Sequence, residues 1–461
     1  MAEAEKGSHV DSSDVGSLQI YERPKGLKGL YYNPMTQVVM LGFVCFMCPG
    51  LFNALNGLGG GGQIDTTISA NANSALYATF AVGAFFSGYF RDQQTGTASK
   101  SFAGQCGVSF IHWIVFGYQY SSQSRRLCNR SGGYSWFLCW TAMDCTRLDD
   151  AFIPNGESEG FIYWCILGYL QSGSGSGRHA ELDSISQANS VDNGTYIAFL
   201  VLTLVGVAIP IFMVDPTKII RFDGTLVTTP RHPSWKSEIM GLWYTLRTDP
   251  YVLLLFPMFF ASNWFYTWQF NEYNIAIFNI RARALNNLVY WLAQIIGSLS
   301  IGFVLDQKRL TRRFRAFAGW IILLVMVFVV HIWAYFYQKQ YTRESLPPDF
   351  PNKMDIFDHG SAGRIMLYIV CGLLDAMWQT AVYWLMGAMS NDPAKLAYFT
   401  GFYKSLQSAG AAGAWRADAL QIPYMNMFIS TWVLLAAGLV FSLPLLVMRV
   451  KNHTSSSDDN L

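Results

Sequence analysis

The sequence predicts an all-α, polytopic membrane protein, and three observations carry that prediction. Of 461 residues, 52% are hydrophobic and only 13% charged, whereas soluble domains carry about a quarter charged residues. Apolar runs of about eighteen residues or more recur along the chain, the length a helix needs to cross hydrocarbon. The loops between them alternate between basic and mixed charge, as expected when Lys and Arg collect on the cytoplasmic side. The lipid bilayer is therefore the expected surrounding. A net charge of +2, with no basic stripe interleaved with aromatics, argues against a nucleic-acid partner.

Nine spans are readable in order. Met35–Leu58 is the first, approached through Arg23, Lys25 and Lys28, and Ala75–Phe90 is a shorter second. Tyr196–Val214, Pro250–Asn271, Leu285–Leu305, Phe317–Tyr337 and Ile365–Met389 follow, then the more polar Leu396–Trp415 and finally Met427–Met448. No apolar run precedes the first span, so it is expected to target the chain without a cleavable signal. Asp249-Pro250 is expected to open its span, with Asp capping free amides and Pro in the first turn.

Orientation follows from the loops. The N-terminal tail, the stretch from Asp215 to Asp249 and the run Lys308, Arg309, Arg312, Arg313, Arg315 are basic, and Arg449 and Lys451 close the last span. The loop Gln338–Ala362 is mixed, with Glu344, Asp349, Asp355 and Asp358 against Lys339, Arg343 and Lys353. Both termini are therefore expected in the cytoplasm. That requires an even number of spans, so the stretch between Arg91 and Asn193 must supply an odd number more. It holds five of the eight cysteines and the run SGSGSG at Ser172–Gly177, yet no fragment long enough to span. A structureless loop of that size is uncommon.

Two stretches carry a resemblance. YYNPMTQVVMLGFVCFMCPGLFNALNGLGGGGQID (Tyr31–Asp65) and DAMWQTAVYWLMGAMSNDPAKLAYFTGFYKSLQSAGAAGAW (Asp375–Trp415) resemble the fungal branch of the uncoordinated-ninety-three-like membrane proteins. That family belongs to the major facilitator superfamily, and the likeness covers residues 20–92 and 187–450. It implies a major-facilitator fold of two six-helix bundles. By that reading residues 1–34 form a cytoplasmic tail, 35–214 the N-terminal bundle, 215–249 a cytoplasmic inter-bundle loop, 250–448 the C-terminal bundle and 449–461 a second cytoplasmic tail. Residues 92–186 depart from the family, with the third to fifth helices missing or malformed. Back-translating YWCILGYLQSGSGS (Tyr163–Ser176) and reading one base later yields IGAFWGIFNLGAV, which looks like a family helix. Out-of-frame translation of part of 92–186 is therefore the expectation, which transcript sequencing tests.

No enzyme signal survives inspection, and no cofactor or metal site is expected. Cys45 and Cys48 form a C-x-x-C inside the first span beside Pro49, not at the head of a thioredoxin-like helix. The histidines are scattered, and Gly59–Gly62 neither follows a strand nor precedes a Lys-Ser/Thr pair. The chemistry sits instead in polar groups at membrane depth. Asn53 and Asn56 are three residues apart and share a helix face, for interhelical hydrogen bonding or for solute contact; Pro49 predicts a kink just before them.

Gln269 and Glu272 share a face among Trp264, Tyr266 and Trp268, where aromatics also form an ordinary interfacial belt. Asp375 and Gln379 share a face, as do Lys404 and Gln407 on the next span. A bare charge at the bilayer centre costs about 2.5–3.5 kcal/mol on insertion scales, so such groups pair or line water. Asp375 and Lys404 are expected to pair directly or to end one polar network, while Arg416 and Asp418 are expected at the interface.

IGFVLDQKRLTRRFR (Ile301–Arg315) resembles the facilitator loop motif, with Gly302, Asp306, Arg309, Arg312 and Arg313 at its positions. Its glycine would permit close helix approach and its aspartate would pair with arginines or a helix N-terminus. Of the sequons at Asn129, Asn193 and Asn452, Asn193 is the expected glycosylation site. The leading functional expectation is a transporter-like protein working by alternating access on a small solute or ion. The alternative is a non-transporting regulator or trafficking chaperone of a partner membrane protein, since fold alone does not determine function; a non-functional frame-shifted product is the third.

Overall fold

The computed structural model describes residues 26–45, 47, 50–59, 66–90, 193–214, 235–307, 309–347, 350, 352–390 and 393–451. The segment 92–186, expected to depart from the family, the sequons at Asn129 and Asn452, and Pro49 lie outside the described residues. The described chain is almost wholly helical, with one isolated bridge between Phe278 and Met354.

Within the first predicted span the described residues form α1 (Pro34–Cys45), π-helical positions at Met47 and Gly50, and α2 (Leu51–Gly57). α2 stops at Gly59, whose φ is +78° and where a Cβ would stand 2.7 Å from the carbonyl oxygen of Phe270. Only glycine fits both the left-handed backbone and that approach. α3 (Thr66–Phe90) begins well before the predicted Ala75. Its polar first turns are held by distant chain: Ala70 packs on Ala411 and Trp415, and Ser74 Oγ donates to the carbonyl of Ala412 at 3.0 Å. α4 (Asn193–Ala208) runs on as a 3-10 turn to Phe212. There the Tyr31 hydroxyl donates to Phe212 O, and Gln37 Oε1 accepts from Val214 N at 3.0 Å.

A helix, α5 (Trp235–Thr248), occupies part of the stretch read as an inter-bundle loop. Leu242 and Thr245 are buried on one face while Met240, Trp243 and Tyr244 are exposed on the other. The amphipathic pattern was masked by the basic residues around it, and the helix packs on α3 and on α10 (Pro393–Ala419).

The span predicted over Pro250–Asn271 is not one α-helix. A 3-10 turn (Pro250–Leu255) leads into α6 (Phe256–Ala261), a single turn (Phe265–Thr267) and a π-helical segment (Trp268–Ile275). Asp249 precedes it without capping it. Its Oδ2 is engaged by the Arg449 guanidinium at 2.9 and 3.1 Å and by Lys395 at 3.6 Å, so paired charge outcompetes the free amides.

α7 (Ile280–Leu305), α8 (Arg312–Gln338), α9 (Ser361–Met389) and α11 (Tyr424–Met448) are each long and apolar enough to cross a membrane. Asn279 and Thr311 cap α7 and α8, accepting from Ala282 N at 2.9 Å and Phe314 N at 3.4 Å. With α6 and α10 they enclose one core built on Met258, Trp268, Tyr368, Trp378 and Phe428. Lipid is as apolar as the helices, so close packing and hydrogen bonds hold such a bundle. α7 and α9 approach most closely where a Cβ on Gly297 would lie 2.4 Å from Leu373 O, and one on Gly372 2.6 Å from Tyr290 O. Gly302, expected to permit a close approach, is buried further along α7.

The helices alternate between two ends. One gathers Asp249, Lys395, Arg312 and Arg449, and is the basic end. The other gathers the Gln338–Ser361 loop, Ile275, Ala419 and Gly57, and is the mixed-charge end.

Candidate functional site

Four buried polar side chains, Gln269, Asn271, Glu272 and Asn274, lie within the π-helical segment. A π turn widens the helix and breaks the regular ladder, and such segments recur at functional sites. Here it sends neighbouring side chains into three different networks.

The first lies at mid-depth. Asp375, in the middle of α9, is 1% exposed. Its Oδ2 takes hydrogen bonds from Gln294 Nε2 and from the Tyr290 hydroxyl at 3.2 Å; its Oδ1 accepts from Gln379 Nε2 at 2.8 Å. The same hydroxyl lies 2.6 Å from Gln269 Oε1, and Gln379 Nε2 also reaches the Tyr266 oxygen at 3.2 Å. Every one of these partners is neutral. The direct pair expected between Asp375 and Lys404 is not formed. Lys404 Nζ donates to Gln407 Oε1 at 3.0 Å and lies 5.4 and 5.3 Å from the ring centroids of Tyr383 and Tyr403. Gln407 Nε2 extends that group to Asn263 Oδ1 at 3.0 Å. Aromatic faces hold the ammonium and leave the carboxylate to amides and hydroxyls.

The second network lies at the mixed-charge end. Glu272 is 0% exposed, enclosed by protein at that end rather than facing out among its aromatic neighbours. Arg343, reaching in from the loop, places Nη2 3.2 Å from Glu272 Oε1 and 2.9 Å from Asp418 Oδ1. Asp418, at the end of α10, is 1% exposed, and its Oδ2 accepts from Asn271 Nδ2 at 2.7 Å. The guanidinium also donates to Ile422 O at 2.9 Å and lies 4.4 Å from the Tyr424 ring centroid.

The third network is a seam between the N-terminal helices and the rest. Asn274 Nδ2 donates to Gly57 O at 3.1 Å and Asn287 Nδ2 to Ala54 O at 2.6 Å. Asn286 Nδ2 braces Asn274 Oδ1 at 2.9 Å. These amides satisfy the free carbonyls at the end of α2, which otherwise need water. Arg416 donates to Asn71 Oδ1 at 2.7 Å and Gln421 to Thr67 Oγ1 at 3.3 Å. The seam continues along α3 and α10 to Ser405, whose Oγ donates to Ala81 O at 2.5 Å.

Of the residues singled out by sequence, Gln269, Asp375 and Gln379 share the mid-depth network, Glu272 joins the second, and Lys404 and Gln407 form a separate pair. Asn56 accepts from Asn73 Nδ2 at 3.1 Å, an interhelical bond, while Asn53 is half-buried. Asn193 opens α4. In the loop motif, Asp306 ends α7 and Arg313 Nη2 reaches Val447 O at 3.4 Å, while Arg309 is exposed and Arg312 half-buried. Arg315, outside the motif, donates to Leu305 O at 2.7 Å and caps α7. A shallow apolar cleft lined by Met258, Leu305, Trp320 and Leu323 lies apart from these networks. Sequence reasoning missed Tyr290, Gln294, Arg343 and the asparagines 274, 286 and 287. Asn286-Asn287 inside an apolar run was the one available signal.

Comparison with known proteins places this geometry. No family profile matches the chain. A UNC93-like protein of Schizosaccharomyces pombe is 40% identical over 453 residues, covering 96% of this chain and 89% of the relative. UNC93-like protein 1 of Arabidopsis thaliana is 36% identical over 442 residues, covering 94% and 93%. Among solved structures, a POT family transporter in complex with 5-aminolevulinic acid matches with a TM-score of 0.56 and 12% identity, over 90% of this chain and 96% of that one. That likeness speaks for the fold, which is the major-facilitator type. The chain is an integral, multi-pass membrane protein and belongs to the UNC93-like family.

Proposed function

We propose that the protein is a non-enzymatic transporter that works by alternating access between two helical bundles, with both termini cytoplasmic. The observation that carries this reading is Asp375. A carboxylate held at mid-depth by neutral donors alone is costly, and it stands one helix from a seam that polar side chains bridge. Gln269, Tyr290, Gln294 and Gln379 then form the solute-contacting surface, suited to a small solute that brings a positive group. The loop charges orient the molecule with the mixed-charge end away from the cytoplasm, so the sealed seam closes the non-cytoplasmic side.

Spin labels at Ile68→Cys and Leu420→Cys, in a background lacking the native cysteines, test the reading in lipid nanodiscs. Two distance populations are expected, and a single short distance under all conditions overturns it. In that event the regulator or chaperone reading takes its place, with a partner membrane protein as its ligand.

A further inference from the structure

We propose that Glu272 is a proton-binding site that holds the seam shut: its carboxyl carries a proton on Oε2 while the mixed-charge ends are in contact, and releases it when they part. The proposal stands apart from the transport reading, because it concerns any opening of the seam.

Two carboxylates, Glu272 and Asp418, meet one guanidinium, Arg343, so one negative charge is in excess if all three ionise. Both oxygens of Asp418 have donors, Oδ1 from Arg343 and Oδ2 from Asn271. Glu272 Oε1 has Arg343, but Oε2 has no hydrogen-bond partner and the residue is 0% exposed. A neutral hydroxyl left without a partner costs far less than an ionised oxygen left without one. The proton therefore belongs on Oε2.

Among the described residues, no cation other than Arg343 is bonded to the Glu272 carboxyl. Tyr341, from the loop, donates to the backbone oxygen of Glu272 at 3.0 Å rather than to its carboxyl. Tyr424, from α11, lies under the Arg343 guanidinium. Arg364, from α9, donates to Gln340 Oε1 at 2.9 Å, and Lys353 Nζ is bonded to Ile275 O. Glu344, also on the loop, adds negative charge only.

The same residues reach the seam. Asn274, on the same π segment as Glu272, holds Gly57. Arg343 Nη1 donates to Gln421 Oε1 at 3.2 Å, and Gln421 in turn holds Thr67. Ionised Glu272 needs hydration, and water enters as the seam parts. On release, the O–H bond at Oε2 breaks, its electron pair stays on the carboxylate and the proton passes to water. The closed form thus binds the proton more tightly than the parted one. By linkage, lower pH favours closure and higher pH favours parting.

The test uses the full chain in lipid nanodiscs, with infrared difference spectra for a protonated carboxyl and the Ile68→Cys/Leu420→Cys distance, both followed across pH. Expected are a carboxyl band that disappears as pH rises, its loss in the isosteric Glu272→Gln, and a distance that lengthens with pH in the parent but not in Glu272→Gln. Asp418→Asn balances the charges without a proton and is also expected to lose the lengthening. A titrating band that persists in Glu272→Gln, or an unchanged pH response of the distance there, overturns the proposal. A band lost in Glu272→Gln with a distance that never changes keeps the proton site and overturns its link to the seam together with alternating access.

Discussion

Gly372 of α9 packs directly on the backbone of Tyr290 of α7: a Cβ there would stand 2.6 Å from the Tyr290 carbonyl oxygen. Asp375 follows within one turn, so this contact sets how near the Tyr290 hydroxyl comes to its carboxylate. Replacing Gly372 with Ala is expected to force the helices apart at a cost of about 1–3 kcal/mol, read as a lower melting temperature of the purified chain. Gly387→Ala is the control. A Cβ there meets nothing within 4 Å, and the expected change is neutral or a gain of about 0.5–1 kcal/mol.

Asp375 and Lys404 are expected to behave independently. Asp375→Asn and Lys404→Gln, singly and together, should give a coupling energy within about 0.5 kcal/mol of zero, because their hydrogen bonds go to different partners. A larger coupling shows that the two groups meet in another state of the molecule. Asp375→Ala should cost more than Asp375→Asn, since it strands the buried Gln294 and Gln379 amides at about 1–3 kcal/mol each.

Arg343→Ala leaves buried Asp418 without its cation and Glu272 Oε1 without its donor, and a loss of about 3–5 kcal/mol is expected. Arg343→Lys should recover little, because an ammonium cannot span Glu272, Asp418, Gln421 and Ile422 O as the guanidinium fork does. Arg343→Ala combined with Glu272→Gln and Asp418→Asn should melt above Arg343→Ala alone. A triple variant no more stable than the single contradicts this.

At the seam, Asn287→Ala frees the Ala54 carbonyl, and Gly57→Ala would drive a Cβ to 2.3 Å from Asn287 Oδ1. Both are expected to raise labelling of a cysteine placed at Leu58, which is buried in the closed form. The rise should exceed that from Asn56→Ala, whose bond to Asn73 lies within the N-terminal helices.

Legibility from sequence followed the physics of each signal. α8 and α11 were readable as spans, their ends to within one residue though they begin a few residues earlier than read, because apolar runs of spanning length have one reading in a bilayer. The Pro250–Asn271 run was readable as a span but not as a chain of 3-10, α and π turns, since hydropathy does not report hydrogen-bond register. Asp375 with Gln379 stood out because a charge in an apolar run is conspicuous. Glu272 was singled out with Gln269, but Trp264, Tyr266 and Trp268 around it left an interfacial position open as well. Arg343 was hidden more deeply: in a loop of mixed charge, nothing local marks one arginine as buried.

By itself, then, the sequence determined the solvent. Scarce charge and long apolar runs commit this chain to helices in lipid. Tertiary structure alone decided the pairing. Lys404 is met by Tyr383, Tyr403 and Gln407, Asp375 by Tyr290, Gln294 and Gln379, and Glu272 by an arginine more than seventy residues away. Those choices depend on helix rotation, on glycine contacts and on the extra width of a π turn. They are set by close packing between segments distant in sequence, which no local pattern of residues encodes.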